Sequence, residues 1–286
     1  MLSKKIVIGT ANFANQYGII PSKNKINRKE IKKIFNYARL KKINFLDTAY
    51  SYNNDKILKD VNIKNWNIVT KVNFKQAKEN YLSKAKKILK INEFYGVLVH
   101  LKNTREISSQ NNYKLFQLLM KLKSKKIIKK IGFSTYTPED INLLIKKFNF
   151  DFIQCPVNIL DNRLIDNGLL KKLKKKKIEI HARSIFLQGL LLKNSTNFPK
   201  ELKQFKTIFE DYQNYVNNLQ MPKLEICLNY IRKIKEIDKI VIGINNKKQL
   251  VTIINSLNKK KKINLPKLII RQKSNLSKLI DLRKWN

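Results

Sequence analysis

Cysteine is nearly absent from this 286-residue chain. Cys155 and Cys227 lie far apart, with no C-x-x-C pair and no Cys/His spacing, so zinc and dithiol redox chemistry have no ligand set to start from. Both read as small buried apolar residues. Histidine is as scarce, with two copies, and acidic residues number only 20 against 61 Lys and Arg. No run approaches the ~18 apolar residues of a spanning helix, and the apolar stretch in "MLSKKIVIGT" is too short for a signal peptide. A cytoplasmic protein with no membrane partner is expected. No G-x-G-x-x-G follows the first apolar run: "IVIGTANFANQYGI" holds Gly9 and Gly18 without the dinucleotide fingerprint, which counts against a Rossmann domain.

What is abundant is lysine. The formal net charge is +41 and the pI near 10.2, with only a few arginines such as Arg28, Arg39, Arg105, Arg163 and Arg183. A dedicated nucleic-acid surface concentrates Arg and interleaves aromatic residues on one face. Here Lys is spread along the chain beside Ile and Asn, as codon bias acting on solvated helix faces would produce. No specific nucleic-acid partner is expected, and no signature of an oligomeric state is present. With 43% hydrophobic residues the chain can bury a sizeable core.

Eight short, nearly continuous apolar runs recur: "KIVIGT" (5–10), "INFLDTA" (43–49), "WNIVTKV" (66–72), "YGVLVH" (95–100), "IKKIGFS" (128–134), "FDFIQCPVN" (150–158), "IEIHARS" (178–184) and "KIVIGI" (239–244). Runs without polar alternation suit parallel strands covered on both faces. Between them, "NRKEIKKIFNYARLKK", "FKQAKENYLSKAKKILK", "NNYKLFQLLMKLKSKK", "TPEDINLLIKKF", "NGLLKKLKKKK" and "NKKQLVTIINSL" place apolar residues at helical steps. "TPED" predicts a start with Thr137 as N-cap and Pro138 in the first turn. Eight such alternations predict a single-domain (β/α)8 TIM barrel spanning residues 1–286. The longest connection, about 187–221, predicts an elaborated loop and helix after strand seven. Residues 259–286 predict a Lys-rich C-terminal extension.

A barrel of this kind carries its site at the C-terminal ends of its strands. Run two ends in Asp47, run three in Lys71 and run four in His100, with Tyr52 just past run two. Strands two to four are neighbours, so these groups should converge. A buried Lys71 and a buried Asp47 each supply the other's missing countercharge. The ammonium should then lower the Tyr52 pKa and make its hydroxyl a better proton donor, while His100 orients a carbonyl oxygen. Taken singly, each has a plainer reading: an Asx turn for Asp47, a snorkelling Lys71, a core His100, a packed Tyr52. The other histidine, His181, sits inside run seven and reads as structural.

The segments "GTANF", "FLDTAYSYNND", "TKV", "VLVH", "IGFS", "FIQCPVNILD", "SIFLQGLL" and "VIGINNKKQL" resemble the aldo-keto reductase family over nearly the whole chain, most of all a bacterial branch associated with sugar and surface-polysaccharide metabolism. The resemblance implies a catalytic tetrad of Asp47, Tyr52, Lys71 and His100. It implies reduction of a small-molecule carbonyl, an aldehyde or ketone with a sugar among the candidates, by NADPH, with NADH as the alternative coenzyme. It places carboxamide contacts on Ser134 and Gln154, with Thr135 where the family has Asn. Arg183 stands where an aromatic ring often stacks on the nicotinamide, a substitution that should favour the reduced coenzyme. Ser184, Leu187, Gln188 and Gly189 match the segment covering the pyrophosphate, and Gly243, Asn245 and Gln249 match the adenosine-phosphate region. Gln249 replaces the Arg of many NADP-specific members, leaving Lys247 and Lys248 as candidates for a 2′-phosphate. Phe13, Tyr50, Leu101 and Phe186 are the expected substrate-pocket walls. The alternative function is a cofactor-binding sensor on the same barrel with little turnover.

Overall fold

The computed structural model describes residues 2–14, 26–74, 79–101, 103–194, 198–259, 265–271 and 273–285. Eight parallel strands close in chain order: β1 Ile6–Gly9, β2 Phe45–Asp47, β3 Asn67–Val72, β4 Phe94–His100, β5 Ile128–Ser134, β6 Phe152–Pro156, β7 Glu179–Arg183 and β8 Lys239–Gly243, with β1 paired to β8. Each falls on one of the eight apolar runs. Gly18, residues 75–78 of the helix expected at 74–90, residues 195–197 of the long connection and residues 260–264, 272 and 286 of the expected extension lie outside the described residues.

Helices form where apolar residues fall three and four apart. Arg28–Leu40 buries Ile31, Ile34, Phe35 and Ala38, and its N-cap Asn27 accepts the Glu30 amide at 2.8 Å. Pro138–Lys147 starts as "TPED" predicts: Thr137 accepts the Asp140 amide while the Asp140 carboxylate accepts the Thr137 amide, a reciprocal capping box. The buried sides of these helices pack on outward strand residues such as Leu46, Ile68, Val97 and Ile153 in one continuous core.

Alternate strand residues turn into the barrel. Its middle is filled by Val69, Leu98 and the fully buried Phe152. Phe152 needs two glycines: a Cβ on Gly96 would sit 2.4 Å from its Cζ, and one on Gly132 would sit 2.1 Å from its carbonyl oxygen. Below this layer, towards the strand starts, lies a polar floor. Glu179 accepts from Lys130 and, at 2.6 Å, from the Tyr95 hydroxyl, while His181 Nε2 lies 2.7 Å from the other Glu179 oxygen. Burial would raise the Glu179 pKa, but these partners outweigh it and hold the carboxyl well below the usual range.

The connection after β7 is richer than a loop and one helix. Lys206–Leu219 is followed by a second helix, Lys223–Lys233. The second escapes periodicity because it is apolar on two sides: Leu228 and Ile231 join the barrel core, while Ile226 and Cys227 join a separate cluster. That cluster is completed by the C-terminal segment through Ile270, Leu279, Ile280 and Trp285. Polar ties fix the segment in place: Arg271 Nε donates to Asp211 at 2.5 Å, the Tyr215 hydroxyl to the Pro266 carbonyl at 2.9 Å, and Trp285 Nε1 to the Leu279 carbonyl at 2.7 Å. The described part of the Lys-rich extension is therefore a packed element.

Candidate active site

The polar strand ends gather at one mouth of the barrel. Gly9 is level with Asp47, His100 with Ser134, and Ser134 with Gln154. Lys71, two residues beyond the Asp47 level on β3, points back to it. Lys71 Nζ donates to Asp47 Oδ2, and Gln154 Nε2 reaches across the barrel to Asp47 Oδ1 at 2.7 Å. Both members of the ion pair are almost fully buried, with side-chain exposures of 6% and 5%. Such a pair is held by mutual compensation of desolvation.

Tyr52 ends a single 3-10 turn, Tyr50–Tyr52, directly after β2. Asn54 fixes that turn. It is fully buried, accepts from the Thr48 hydroxyl at 2.9 Å, and donates to the Thr10 carbonyl and hydroxyl oxygens at 3.0 and 2.9 Å. Thr10 Oγ1 in turn donates to the Asp47 carbonyl at 3.0 Å. The β1 end, the β2 end and the Tyr52 turn are thus one hydrogen-bonded unit. The second Asn of "YSYNND" is the sequence signal for it.

The Lys71 ammonium sits 5.3 Å from the Tyr52 ring centroid. It does not bring the phenol down as expected. Burial pushes the Tyr52 pKa up, the Asp47 charge adds to the rise, and Arg183 opposes it. The positive charge of Lys71 is largely cancelled by the carboxylate it bonds, so desolvation prevails.

A cleft of about 1060 Å³ opens over this layer. Asp47, Tyr52, Lys71 and His100 all line it, together with Ser134, Gln154, Arg183, Ser184, Gln188, Gly189, Gly243, Asn245 and Gln249. Of the four expected walls, Phe186 lines the cleft and three do not. Phe13 is fully buried against Phe35, Leu101 is core, and Tyr50 is 42% exposed with its edge on Tyr81. Leu187 also misses the cleft: its side chain is buried in the second cluster, and its amide donates to the Ser184 carbonyl at 2.9 Å. The Gly189 amide is likewise taken, by Phe186. These turns draw amides inward that an exposed loop would present.

Ser134 Oγ and Gln154 Oε1 are buried and, among the described residues, without a hydrogen-bond partner. Gln154 cannot reverse its amide to relieve this, because its carbonyl oxygen would then face the Asp47 carboxylate. A donor and an acceptor therefore stand ready at the catalytic end of the cleft. At the far end, Gln249 Oε1 accepts the Asn245 amide at 2.8 Å, and Asn12 bonds Asn245 Oδ1. The adjacent lysines separate: Lys248 lines the cleft, while the Lys247 side chain lies over Tyr37. Lining residues that the sequence reading did not pick include Asn12, Tyr136, Lys223 and Arg283. Tyr136 and Arg283 come from a strand-end loop and from the C-terminal segment, and no strand pattern announces either. Among the described residues no group of three His, Cys, Asp or Glu could hold a metal ion.

Comparison with known proteins gives the same outline. The model of the Aldo/keto reductase family matches residues 5–265. Among solved structures, the holo form of aldo-keto reductase AKR11C1 from Bacillus halodurans superposes with a TM-score of 0.71 at 16% identity, covering 96% of this chain and 91% of that one. Its apo form gives 0.65 at 18% identity, covering 88% and 87%. At such identities the likeness is one of fold. No curated protein matches.

Proposed function

The chain belongs to the aldo/keto reductase family, an oxidoreductase family, and on that premise we propose that it reduces an aldehyde or ketone to an alcohol with NAD(P)H, Tyr52 giving the proton. The observation that carries this reading is the convergence of Asp47, Lys71, Tyr52 and His100 on one cleft, with Lys71 bonded to Asp47. Bound NAD(P)H would supply a hydride to the carbonyl carbon.

The chain's residues fit that coenzyme. Ser134 Oγ and Gln154 Oε1, both lacking partners among the described residues, match the oxygen and the amino group of a carboxamide. Lys223 and Lys248 bring positive charge to the outer cleft, where phosphates would lie, and Lys248 is the candidate for a 2′-phosphate. Arg183 on the cleft wall favours a neutral, reduced ring over a cationic one. NADPH is thus preferred over NADH.

At the reacting carbonyl, His100 would steady the oxygen. Tyr52, like any phenol, holds its proton at neutral pH, burial pushes its pKa further up, and it gives that proton to the far more basic developing alkoxide. Asp47 and Lys71 hold the site's electrostatics fixed, so little reorganisation accompanies the charge shift. Fluorescence titration with NADPH and NADH, then turnover on a panel of aldehydes, ketones and sugars, tests the proposal. NADPH should bind more tightly, and Lys248→Gln should narrow that preference severalfold. Tight binding with no turnover on any carbonyl would instead favour a cofactor-binding sensor.

A further inference from the structure

The cleft gathers two arginines at its catalytic end, around one tyrosine ring. Its only described acidic lining residue is Asp47, which Lys71 neutralises. Lys223 Nζ is held by the Lys193 carbonyl and Asn194 Oδ1, and Lys248 lies in the first turn of the helix after β8, leaving Arg183 and Arg283. Both guanidiniums lie over the ring of Tyr136, with Cζ 4.3 and 4.4 Å from its centroid. The same ring is 6.2 Å from that of His100.

The two arginines differ in their partners. Arg283 is paired with the buried Asp281 through Nε at 2.8 Å and Nη2 at 2.7 Å. Among the described residues Arg183 meets no carboxylate. Its Nη2 donates to the Thr135 carbonyl at 2.8 Å and its Nη1 to Ser184 Oγ at 3.3 Å. Those bonds and the Tyr136 ring fix the guanidinium plane while leaving three of its five N–H groups uncommitted. A half-buried, rigid guanidinium with no carboxylate partner among the described residues attracts an anion that can take two of its donors at once. Its charge is also felt at the Tyr52 phenol, which places it near the reacting group.

We propose that the corner of Arg183, Tyr136 and Arg283 binds an anionic group, a carboxylate or a phosphate, carried by the carbonyl substrate. The inference rests on the carbonyl reduction proposed above and narrows its substrate class. The C-terminal segment delivers Arg283 and so completes the corner.

Matched substrate pairs test it in the NADPH-loaded protein: 4-carboxybenzaldehyde against its methyl ester, and glyceraldehyde 3-phosphate against glyceraldehyde. In at least one pair the charged member should have a kcat/KM higher by about tenfold or more, the order expected of charge-assisted hydrogen bonds. The winning pair tells carboxylate from phosphate. In Arg183→Gln that advantage should fall to within about threefold. Equal kcat/KM within both pairs, or an advantage unchanged in Arg183→Gln, overturns the proposal. So does a variant that loses NADPH affinity while keeping the ratio, since Arg183 would then serve the coenzyme's phosphates. If no carbonyl is reduced, carbonyl reduction itself fails and the corner is judged by binding. Benzoate or inorganic phosphate should raise the melting temperature of the NADPH-loaded wild type but not of Arg183→Gln; no rise in the wild type overturns the proposal.

Discussion

Replacing Lys71 with Met keeps most of the side-chain volume and removes the charge that neutralises Asp47. The remaining carboxylate is about 95% shielded from solvent and keeps one partner, Gln154 Nε2 at 2.7 Å. Removing one member of a buried pair costs about 3–5 kcal/mol. For 286 residues, an unfolding entropy of about 2.1 cal/mol/K per residue converts that to a fall in Tm of roughly 5–8 °C. The companion double variant, Asp47→Leu with Lys71→Met, removes both charges and leaves the Gln154 amide unsatisfied, at about 1–3 kcal/mol, with the long 3.4 Å bond to the Thr48 carbonyl also lost. Urea unfolding of the wild type, the single variant and the double variant measures both quantities. The single variant should be the least stable of the three. A Lys71→Met protein within about 1 kcal/mol of wild type, or a double variant less stable than the single, would refute the reasoning that the pair is buried and mutually compensating.

The polar floor makes a pH prediction. Glu179 is held below its ordinary value of 4.5, so its contribution to stability is full above that pH and is lost as pH falls towards the folded-state value. Glu179→Gln should therefore be destabilised at pH 7 by more than at pH 3.5, and urea midpoints at the two pH values check the narrowing gap. Both cysteines are buried with thiols pushed up to about 12, so a thiol reagent at pH 8 should label native protein at less than a hundredth of the rate seen in denaturant.

The strands were legible because a β/α barrel covers both faces of each strand, leaving uninterrupted apolar runs whose last polar residue marks the cleft end. Asp47, Lys71 and His100 could be read off in that way, and all three line the same cleft. Side chains that reach the cleft from elsewhere were not legible. Tyr136 follows β5 in an irregular turn, and Arg283 arrives through a C-terminal segment whose path depends on packing against Leu190, Phe205 and Tyr212. Phe13 and Leu101 misled for a related reason: loops beside the barrel mouth look like walls in sequence, yet these side chains turn down into the core. The direction of the Tyr52 shift could not be had from neighbours alone, because burial outweighs the nearby charges.

The central claim is that Tyr52 gives the proton in a carbonyl reduction, and Tyr52→Phe tests it most directly because the ring stays while the donor goes. With NADPH affinity measured in parallel, turnover on the best carbonyl substrate should fall by about 10²–10⁴-fold while the coenzyme's Kd changes less than about threefold. Turnover within about threefold of wild type would contradict the account.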